Sequence, residues 1–555
     1  MRLKLTYVFL IISLIASFQS CNEDEEFTNP YSGGKKPLGV KFNALVQPDP
    51  GEGPEQSVVT FAINGLKQYP KDEITFLFNG VPAEILEVSE TSVKVKIPAN
   101  ASTGYTSVLV QDQIFIGPKF KVLGKIDFDP DLLVTTGSNR AINDYYKLSD
   151  GRFILVGAFS DYDKKGTIVP LNGIVRIREE GYLDNTFRPN GGSKGSISSI
   201  AVSGAKLFVG GSISGYLFNP GGQNIMPYIN NITRLQEDGS LDSVKVNTWS
   251  TTNAYTGTGP GTGKQKAVPS FNGGTTSSIR KIYNYQDKII AIGDFKYYVS
   301  RRYNEPTSPY VVGGVIYKAD SVILDSIEAP QLIKFNLDGS LDKTYRFDSQ
   351  SNKGKPSGNG TIMTSYLHTD GNLLLAGNFT KFDEADAPRI IRLKPDGTRD
   401  ASFSVGSGAN KVISSVYYNE TTRKYLVAGS FTNFNGVSAL GMVMLKEDGT
   451  VDNSFSSKGF ENGDPNFIKQ LSNGLIVVGG LFDIYNGIRR PGLLILQPDG
   501  NLAPGYNTLG ELKGTLTQVV ESKNSAGKTS ILLLGNFSQL NGTNVSNLTR
   551  LVLEP

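Results

Sequence analysis

A short pattern that recurs along most of this chain constrains its fold more than any other feature. It consists of an apolar strand that ends in Gly-x-Phe, then a second strand, an Asp-Gly turn and an acidic, aromatic tail. Residues 425–455 show the whole pattern, YLVAGSFTNFNGVSALGMVMLKEDGTVDNSF. Short apolar runs separated by turn residues are typical of β-strands, and their regular recurrence is typical of a tandem repeat. The sequence therefore predicts an all-β repeat array from about Phe153 to the C-terminus.

Seven copies of this strand can be aligned by their glycine. Successive glycines lie about 50 residues apart, with about 30 residues more in two of the intervals. Each copy contains four strand-sized pieces joined by local turns, so neighbouring strands are expected to pair antiparallel. Four antiparallel strands per copy predict a seven-bladed β-propeller. The aligned glycines are Gly157, Gly210, Gly293, Gly377, Gly429, Gly479 and Gly535.

The two ends of the array predict a closed ring. The last copy stops at NLTRLVLEP, so it lacks the Asp-Gly turn and the fourth strand. The segment from Lys125 to Val134, KIDFDPDLLV, has the character of that missing strand. We therefore expect the N-terminal strand to complete the last blade, because closure removes the two exposed strand edges of an open array.

The module that joins the third and fourth strands recurs in register, for example as IRLKPDGTRDASF and VMLKEDGTVDNSF. It resembles the delta-sixty repeat, a bacterial propeller repeat, across residues 124–555. Its Asp and Gly could hold calcium, or they could build a turn in which Asp accepts a backbone hydrogen bond and Gly supplies backbone freedom. We favour the turn, because the ligand spacing of an EF-type calcium loop is missing. No metal ion and no cofactor is predicted.

A separate unit is predicted for residues 38–123, ahead of the array. Its apolar runs, including VVTFAING, EITFLFNG and SVKVKIP, recur at a spacing of roughly 8–12 residues, which predicts a β-sandwich. The stretch FNGVPAEILEVSETSVKVKIPANASTGYTSVLV resembles an IPT/TIG immunoglobulin-like domain, and its Asn79-Gly80 pair suits a tight turn. The resemblance implies an immunoglobulin-like sandwich that acts as a spacer or as a protein-contact module.

The N-terminal residues carry a localisation signal. Residues 1–20 combine a short basic start with an apolar run that is short for a membrane span, as in a secretory signal peptide. Cys21, the only cysteine, is followed by the acidic NEDEE, and residues 21–37 are predicted to form a tether. This arrangement resembles the signal of Bacteroidetes surface lipoproteins, which implies a lipid on Cys21 and display outside the outer membrane. The alternative is an ordinary secretory signal with an incidental cysteine.

Composition argues against several classes of function. The 555 residues include one His, one Trp and one Cys, and the formal net charge is +3. A single histidine does not support a Ser-His-Asp triad or a two-histidine metal site. His368 stands just before a predicted turn, where we expect a structural role. A nearly neutral chain without a long basic run does not predict nucleic-acid binding.

Long insertions mark the face of the predicted propeller where a ligand would bind. They fall at residues 215–231, 247–278, 296–331 and 348–360, in connections that share one face of a four-stranded meander. Loops held by a rigid scaffold concentrate binding residues. Their aromatic and arginine side chains are expected either to bind a sugar or protein, or to form the small core that each insertion needs. The candidate ligand-binding residues are Trp249, Tyr255, Tyr297, Tyr298, Arg301, Arg302, Tyr303 and Tyr310.

The combination of tether, sandwich and propeller resembles surface lipoproteins of gut Bacteroides that are often associated with SusC/SusD-type nutrient importers. The resemblance implies a binding protein, not an enzyme, that captures a polysaccharide or peptide beside an importer. Two alternatives are a protein-interaction scaffold in an outer-membrane complex and a polysaccharide-cleaving enzyme. The enzyme is the weaker alternative, because no pair of carboxylates stands in a special sequence context.

Overall fold

The structure, a computed structural model, is all-β across its described residues, as predicted. Its one helix there is the single 3₁₀ turn Lys71–Glu73. No helix in this part of the chain has the length and apolar character needed to cross a bilayer. The predicted residues Cys21, Trp249 and Tyr255 lie outside the described residues. The structure describes residues 37–165, 171–217, 225–248, 264–306, 310–312, 315–317 and 320–553.

The first part of the chain forms one path of eight paired strands around its own core. Phe61, Phe76, Phe78 and Phe120 dominate that core, with ring centroids 4.8–5.8 Å apart. All buried side chains of this core come from residues 40–122. In path order the strands are Lys41–Phe42, Val58–Asn64, Ser92–Lys96, Val81–Val88, Ile74–Phe78, Gly104–Val110, Gln113–Leu123 and Glu52–Pro54.

Seven repeat units follow among the described residues, and the strand that carries the glycine motif is the middle strand of each. The first strands are Ile142–Lys147, Gly191–Ser203, Ile279–Tyr285, Ile362–Leu367, Ile413–Asn419, Pro465–Gln470 and Leu512–Lys523. The second strands are Phe153–Gly157, Lys206–Leu217, Lys288–Gly293, Leu373–Gly377, Lys424–Gly429, Ile476–Gly480 and Thr529–Leu540. The third strands are Ile174–Ile177, Ile232–Leu235, Leu332–Asn336, Ile390–Leu393, Met442–Lys446, Leu493–Leu496 and Leu548–Leu553.

The fourth strand predicted for each unit is wrong as a full strand in units one to six, where it is reduced to a single bridge. In unit four that bridge joins Leu393 to Arg399. The next residue, Asp400, accepts a hydrogen bond from Arg392 Nε at 2.6 Å and another from the Ser402 N–H at 2.9 Å. Because these two bonds turn the chain inwards, the ladder stops after one pair.

The motif glycines are needed for a close backbone approach. A Cβ built on the glycine would lie 2.1–2.4 Å from the carbonyl oxygen of the residue just before the one that pairs with that glycine on the first strand. This holds in all seven units, so no larger residue fits without moving the backbone. In unit five, for example, Gly429 faces the Val412 carbonyl, which accepts a hydrogen bond from the Ser430 N–H at 3.0 Å.

This close approach corrects two of the aligned glycines. In unit two the residue that meets the backbone carbonyl is Gly211, and in unit six it is Gly480. Gly210 and Gly479 meet only side chains, at 3.0 Å from Ile279 Cγ2 and Leu516 Cδ1 respectively. The sequence alignment therefore chose the wrong member of each Gly-Gly pair.

The seven units form a closed cycle. Each first strand contacts the first strand of the next unit, and the strand of unit seven contacts that of unit one. As predicted, an N-terminal strand joins unit seven: Ile126–Phe128 pairs antiparallel with Leu551–Leu553. The last sheet is thus built from both ends of the chain.

A buried ion pair connects neighbouring units, and we call it the arginine latch. An arginine on the third strand binds an aspartate at 2.6–2.8 Å in four units. In units one, two and four this aspartate follows the turn after the third strand, and in unit seven it is Asp129, directly after Ile126–Phe128. The same guanidinium donates to a backbone carbonyl in the turn of the next unit. Arg550 of unit seven binds Asp129 at 2.6 Å and the Glu179 carbonyl of unit one at 2.8 Å, so the latch also closes the cycle. The pairs are Arg176–Asp184, Arg234–Asp242, Arg392–Asp400 and Arg550–Asp129.

The close approach of the motif glycine predicts that alanine destabilises the fold more at Gly211 than at the adjacent Gly210. Gly211→Ala is expected to lower the free energy of unfolding by about 2 kcal/mol or more, because backbone must move. Gly210→Ala is expected to cost less, because only the side chains of Ile279 and Ile282 must shift. Urea titration of both variants measures the difference, and a larger loss for Gly210→Ala would contradict the assignment.

The arginine latch predicts that the Arg550–Asp129 ion pair, where the cycle closes, adds more to the free energy of unfolding than a surface ion pair does. Asp129→Asn leaves the buried Arg550 guanidinium uncompensated and is expected to cost about 3 kcal/mol or more. The matched control is Asp325→Asn, which removes the partner of exposed Arg302 and is expected to cost no more than about 1 kcal/mol. Equal losses in urea titrations of the two variants would show that the latch does not stabilise the ring.

Candidate functional site

The seven first strands line one cavity of about 520 Å³. Each strand has a β-bulge at the same position. In unit one Ile142 pairs with Gly157 and Asp144 pairs with Val156, so Asn143 is the extra residue. Bulges re-aim side chains, and the extra residue of every unit lines the cavity. These residues are Asn143, Ser198, Arg280, Met363, Ser414, Asn466 and Thr517.

A buried ion pair lies on one side of this cavity. Asp144 accepts hydrogen bonds at 2.7 Å from Lys281 Nζ and at 2.7 Å from Ser199 Oγ, so it joins units one, two and three. Burial alone would lower the pKa of Lys281, but the Asp144 carboxylate holds that pKa above its ordinary value. The lysine therefore stays charged, and Asp144 is occupied as its counterion.

Three tyrosines and a second lysine form a belt along neighbouring units of the same cavity. They are Tyr283, Tyr366, Tyr417 and Lys469, each three residues after the extra residue of its strand. The hydroxyl of Tyr283 donates to the Ser365 carbonyl at 2.8 Å. Burial raises the pKa of Tyr417 to about 12, so its ring stays neutral. The belt combines ring faces with a cation, a mixture that suits a ligand with both apolar and polar surfaces.

The predicted insertions meet on a small sheet at the bulge end of the first strands. We call the strands Gly274–Thr275, Tyr297–Pro306 and Asp320–Glu328 the insertion sheet. Thr275 of the second insertion pairs with Tyr298 of the third. Thr275 also lies only a few residues before Ile279, where the first strand of unit three begins. The insertion sheet and the bulges therefore share one end of the repeat array.

Tyr298 is a structural residue, whereas the sequence analysis offered it as a ligand contact. It is only 5% exposed, and its hydroxyl donates to the Gly339 carbonyl in the Asp-Gly turn at 3.1 Å. In three other units a tyrosine hydroxyl donates to the glycine carbonyl of the corresponding turn at 2.6–2.8 Å. These tyrosines are Tyr162, Tyr216 and Tyr485.

Arg301 and Tyr303 pack around another ring of the insertions and are half-buried. The Arg301 guanidinium lies 5.0 Å from the Tyr228 ring centroid and donates to Asn230 Oδ1 at 2.8 Å. The Tyr303 ring meets the Tyr228 ring edge-on at 6.0 Å, and burial raises the pKa of Tyr303 to about 12. The two residues thus form a core for the insertions, which is the alternative that the sequence left open.

Tyr297 and Arg302 are the predicted residues that the structure places at the surface. Tyr297 is 40% exposed, and Arg302 is exposed while it binds Asp325 at 2.7 Å. Tyr310 lies in the strand Tyr310–Val312. Ligand binding by these residues stays a prediction.

His368 lies directly after a first strand, at a turn, as predicted. Its Nε2 hydrogen-bonds the Tyr425 hydroxyl at 2.8 Å, and the rings of Tyr366 and Tyr418 contact it edge-on. Burial lowers the pKa of His368 below its ordinary value. The residue therefore packs as a neutral side chain between units.

The Asp-Gly aspartates build turns, as predicted. Asp396 and Asp448 each accept a hydrogen bond at 2.9 Å from the backbone N–H two residues later. Gly397 has a φ of +83°, which glycine adopts without strain. In the part of the chain that the structure describes, no three His, Cys, Asp or Glu side chains converge on a metal site.

Sequence reasoning missed the cavity. Its signal is a polar residue directly after a buried aliphatic residue at the start of a first strand, as in Ile279-Arg280 and Ile413-Ser414. A bulge of this kind shifts the alternation of the strand by one residue. A strict two-residue pattern therefore does not assign these side chains to one face.

Comparison with known families supports the repeat and the all-β fold. The profile described as domain of unknown function (DUF5122) beta-propeller matches residues 368–403, 422–455 and 471–505. These stretches carry β-propeller repeats. The profile described as domain of unknown function (DUF5008) matches residues 14–118. The IPT/TIG and delta-sixty resemblances stay predictions.

Solved structures of similar topology are distant. The WD40 β-propeller domain of Doa1 is 13% identical, with 76% of this chain and 97% of that one covered and a TM-score of 0.38. An auxiliary nutrient binding protein from Bacteroides thetaiotaomicron is 9% identical, with 92% and 99% covered and a TM-score of 0.29. At these scores neither likeness carries function to this chain. No curated protein matches the chain significantly.

The different positions of two adjacent tyrosines predict different effects of removing their hydroxyls. Tyr298→Phe is expected to lower the free energy of unfolding by about 1 kcal/mol, because the Gly339 carbonyl loses a buried donor. Tyr297→Phe is expected to leave stability unchanged. Thermal and urea unfolding of the two variants provide the measurement, and equal stability of both would contradict a structural role for Tyr298.

Proposed function

We propose that this protein is a lipid-anchored binding protein on the outer surface of the outer membrane, without catalytic activity. It captures a polysaccharide or a peptide and serves a SusC/SusD-type nutrient importer as an accessory component. The signal sequence and Cys21 support the anchor, and the insertion sheet supports capture. Lipid on Cys21 would hold the chain at the membrane.

The proposed architecture is an immunoglobulin-like sandwich followed by a seven-bladed propeller. The separate core of residues 40–122 supports the first part. The closed cycle of first strands, the latch from Arg550 to unit one and the match to a propeller profile support the second. In this arrangement the sandwich lifts the propeller away from the membrane.

The observation that carries the proposal is the exposed pair on the insertion sheet. Tyr297 offers a ring to solvent, and Arg302 with Asp325 offers a fixed set of donors and acceptors. Tyr297, Arg302 and Asp325 all lie on two paired strands, so binding would cost little conformational entropy. Tyr297 and Arg302 stand five positions apart in a regularly paired stretch, so they lie on opposite faces of the sheet. The ring of Tyr297 suits the face of a sugar, and the Arg302–Asp325 pair suits the polar groups of a sugar or a peptide.

Binding without chemistry is supported by two carboxylates that are held in ion pairs. Asp144 in the cavity is bound by Lys281, and Asp383 on the insertion-bearing end is bound by Arg346 at 2.6 Å. A glycosidase needs one carboxylic acid and one carboxylate free to act at the scissile bond. A polysaccharide-cleaving enzyme is therefore the least supported alternative.

A protein-interaction scaffold is the second candidate, and one observation favours it. Tyr105, Ile114 and Ile116 of the N-terminal sheet are each more than 60% exposed. Exposed apolar side chains that cluster on a surface mark protein contacts. Such a surface would bind a membrane partner whether or not the insertion sheet binds a nutrient.

The test is retention of the full chain on immobilised polysaccharides. Retention on one polysaccharide is expected, with a loss of about tenfold or more in Tyr297→Ala and Arg302→Ala, and in Trp249→Ala from the same insertions. Tyr182→Ala is the matched control, because Tyr182 is exposed beside the Glu180-Gly181 turn at the other end of the units.

The outcomes separate the three functions. If every insertion variant is retained as well as the Tyr182→Ala control, the insertion sheet is excluded as the binding surface. Retention on no polysaccharide, together with capture of a membrane protein, would favour the scaffold. Release of shortened oligosaccharides from a retained polysaccharide would show an enzyme.

A further inference from the structure

Lys469 is a cavity residue whose charge lacks a close counterion. Its Nζ donates to the Val519 carbonyl at 2.6 Å, and among the described residues no carboxylate lies within an ion-pair distance of it. Burial lowers the pKa of Lys469 and the charge of the Glu521 carboxylate partly opposes this shift, but the oxygens of that carboxylate accept hydrogen bonds from Ser472 at 2.8–3.0 Å. An ammonium group has three donors, so Lys469 has donors left for a ligand in the cavity.

The other cations of the cavity differ from Lys469 in this respect. Lys281 is paired with Asp144 at 2.7 Å, and Arg280 is paired with Asp294 at 2.8 Å. Burial lowers the pKa of Lys469, which is the expected cost of a cation without a partner. The cavity thus carries one positive charge that the described residues do not balance.

The same strand presents an acceptor without a partner. Asn466 is the extra residue of the unit-six bulge, and its Oδ1 is buried without a hydrogen-bond partner among the described residues. Buried polar atoms of folded proteins are normally satisfied. Asn466 and Lys469 both line the cavity, so a single ligand with a hydroxyl and a negative charge would satisfy both residues.

An aromatic surface completes the site. Lys469 Nζ lies 5.8 Å from the centroid of the Tyr417 ring, and Tyr366 lines the same cavity in the preceding unit. The apolar C–H face of a pyranose packs well on a ring of this kind. The cavity volume of about 520 Å³ lies within the range of small-molecule sites, which is about 300–1,000 Å³.

We propose that this cavity binds a pyranose sugar that carries one negative charge, as a carboxylate or a sulfate. Lys469 balances the charge, Asn466 accepts a hydrogen bond from a ring hydroxyl, and Tyr417 contacts the face of the ring. A dianionic phosphate would leave one charge unbalanced, and a neutral sugar would leave Lys469 without a partner. This site is separate from the insertion sheet and goes beyond the proposed capture of a polymer.

Isothermal titration of the full chain with glucuronate, glucose 6-sulfate and glucose tests the proposal. At least one of the two anionic sugars is expected to bind about tenfold or more tightly than glucose, the scale of one charge-assisted hydrogen bond. Lys469→Met is expected to remove this preference. Lys446→Met, which removes an exposed lysine from a third strand, is expected to bind as the wild type does.

Three results would overturn the proposal. They are no binding of either anion, equal affinity for the anions and glucose, and unchanged anion binding by Lys469→Met. A thermal unfolding curve of Lys469→Met shows whether that variant is folded, and Lys469→Gln replaces it if it is not. If the wild-type chain is retained on no polysaccharide but binds the anionic sugar, only capture by the insertion sheet is refuted, so the two sites are tested independently.

Discussion

The repeat array depends on one backbone contact, the approach of a glycine on each second strand to a carbonyl oxygen on the first strand of the same unit. The contact recurs in all seven units, and any side chain at the glycine would meet that oxygen. The bulge follows at the next pair of the ladder, as between Ile142 and Asp144, and turns the extra side chain into the cavity. One contact therefore explains both the motif that recurs in the sequence and the polar lining of the cavity.

The arginine latch adds the connection between units, and unit six shows what replaces it. Ala503 stands where the other units have aspartate, and the Asn507 side chain bonds both the N–H and the carbonyl of Ile495 at 2.8 Å instead. The N-terminal sheet docks at this position, where the Thr103 N–H donates to the Thr508 carbonyl at 2.8 Å. The repeat thus departs from its pattern in the unit whose backbone bonds the N-terminal sheet.

The sequence was sufficient for features whose cause is local. The strand pattern, the Asp-Gly turns and the N-terminal strand of unit seven follow from residues that are close in sequence or from the count of strands. The Gly-x-Phe pattern fits Gly480 before Phe482, and Gly211 before Ile213 by analogy, so the right glycine of each pair was also within reach of the sequence. Lys469 could not be distinguished from other lysines, because its surroundings come from neighbouring units. The burial of Tyr298 could not be predicted, because it depends on the position of the turn whose Gly339 carbonyl it bonds.

The position of the insertions follows from the constraints at the other end of each unit. There the turn is held by the latch of the preceding unit in four units and by a tyrosine hydroxyl in four units. An insertion in those turns would break contacts between units. Connections after the motif glycine tolerate added length, because Tyr298 keeps its bond to the Gly339 carbonyl although a long insertion follows it. Sequence can therefore vary at this end without loss of the ring, and the cavity and the insertion sheet both open there.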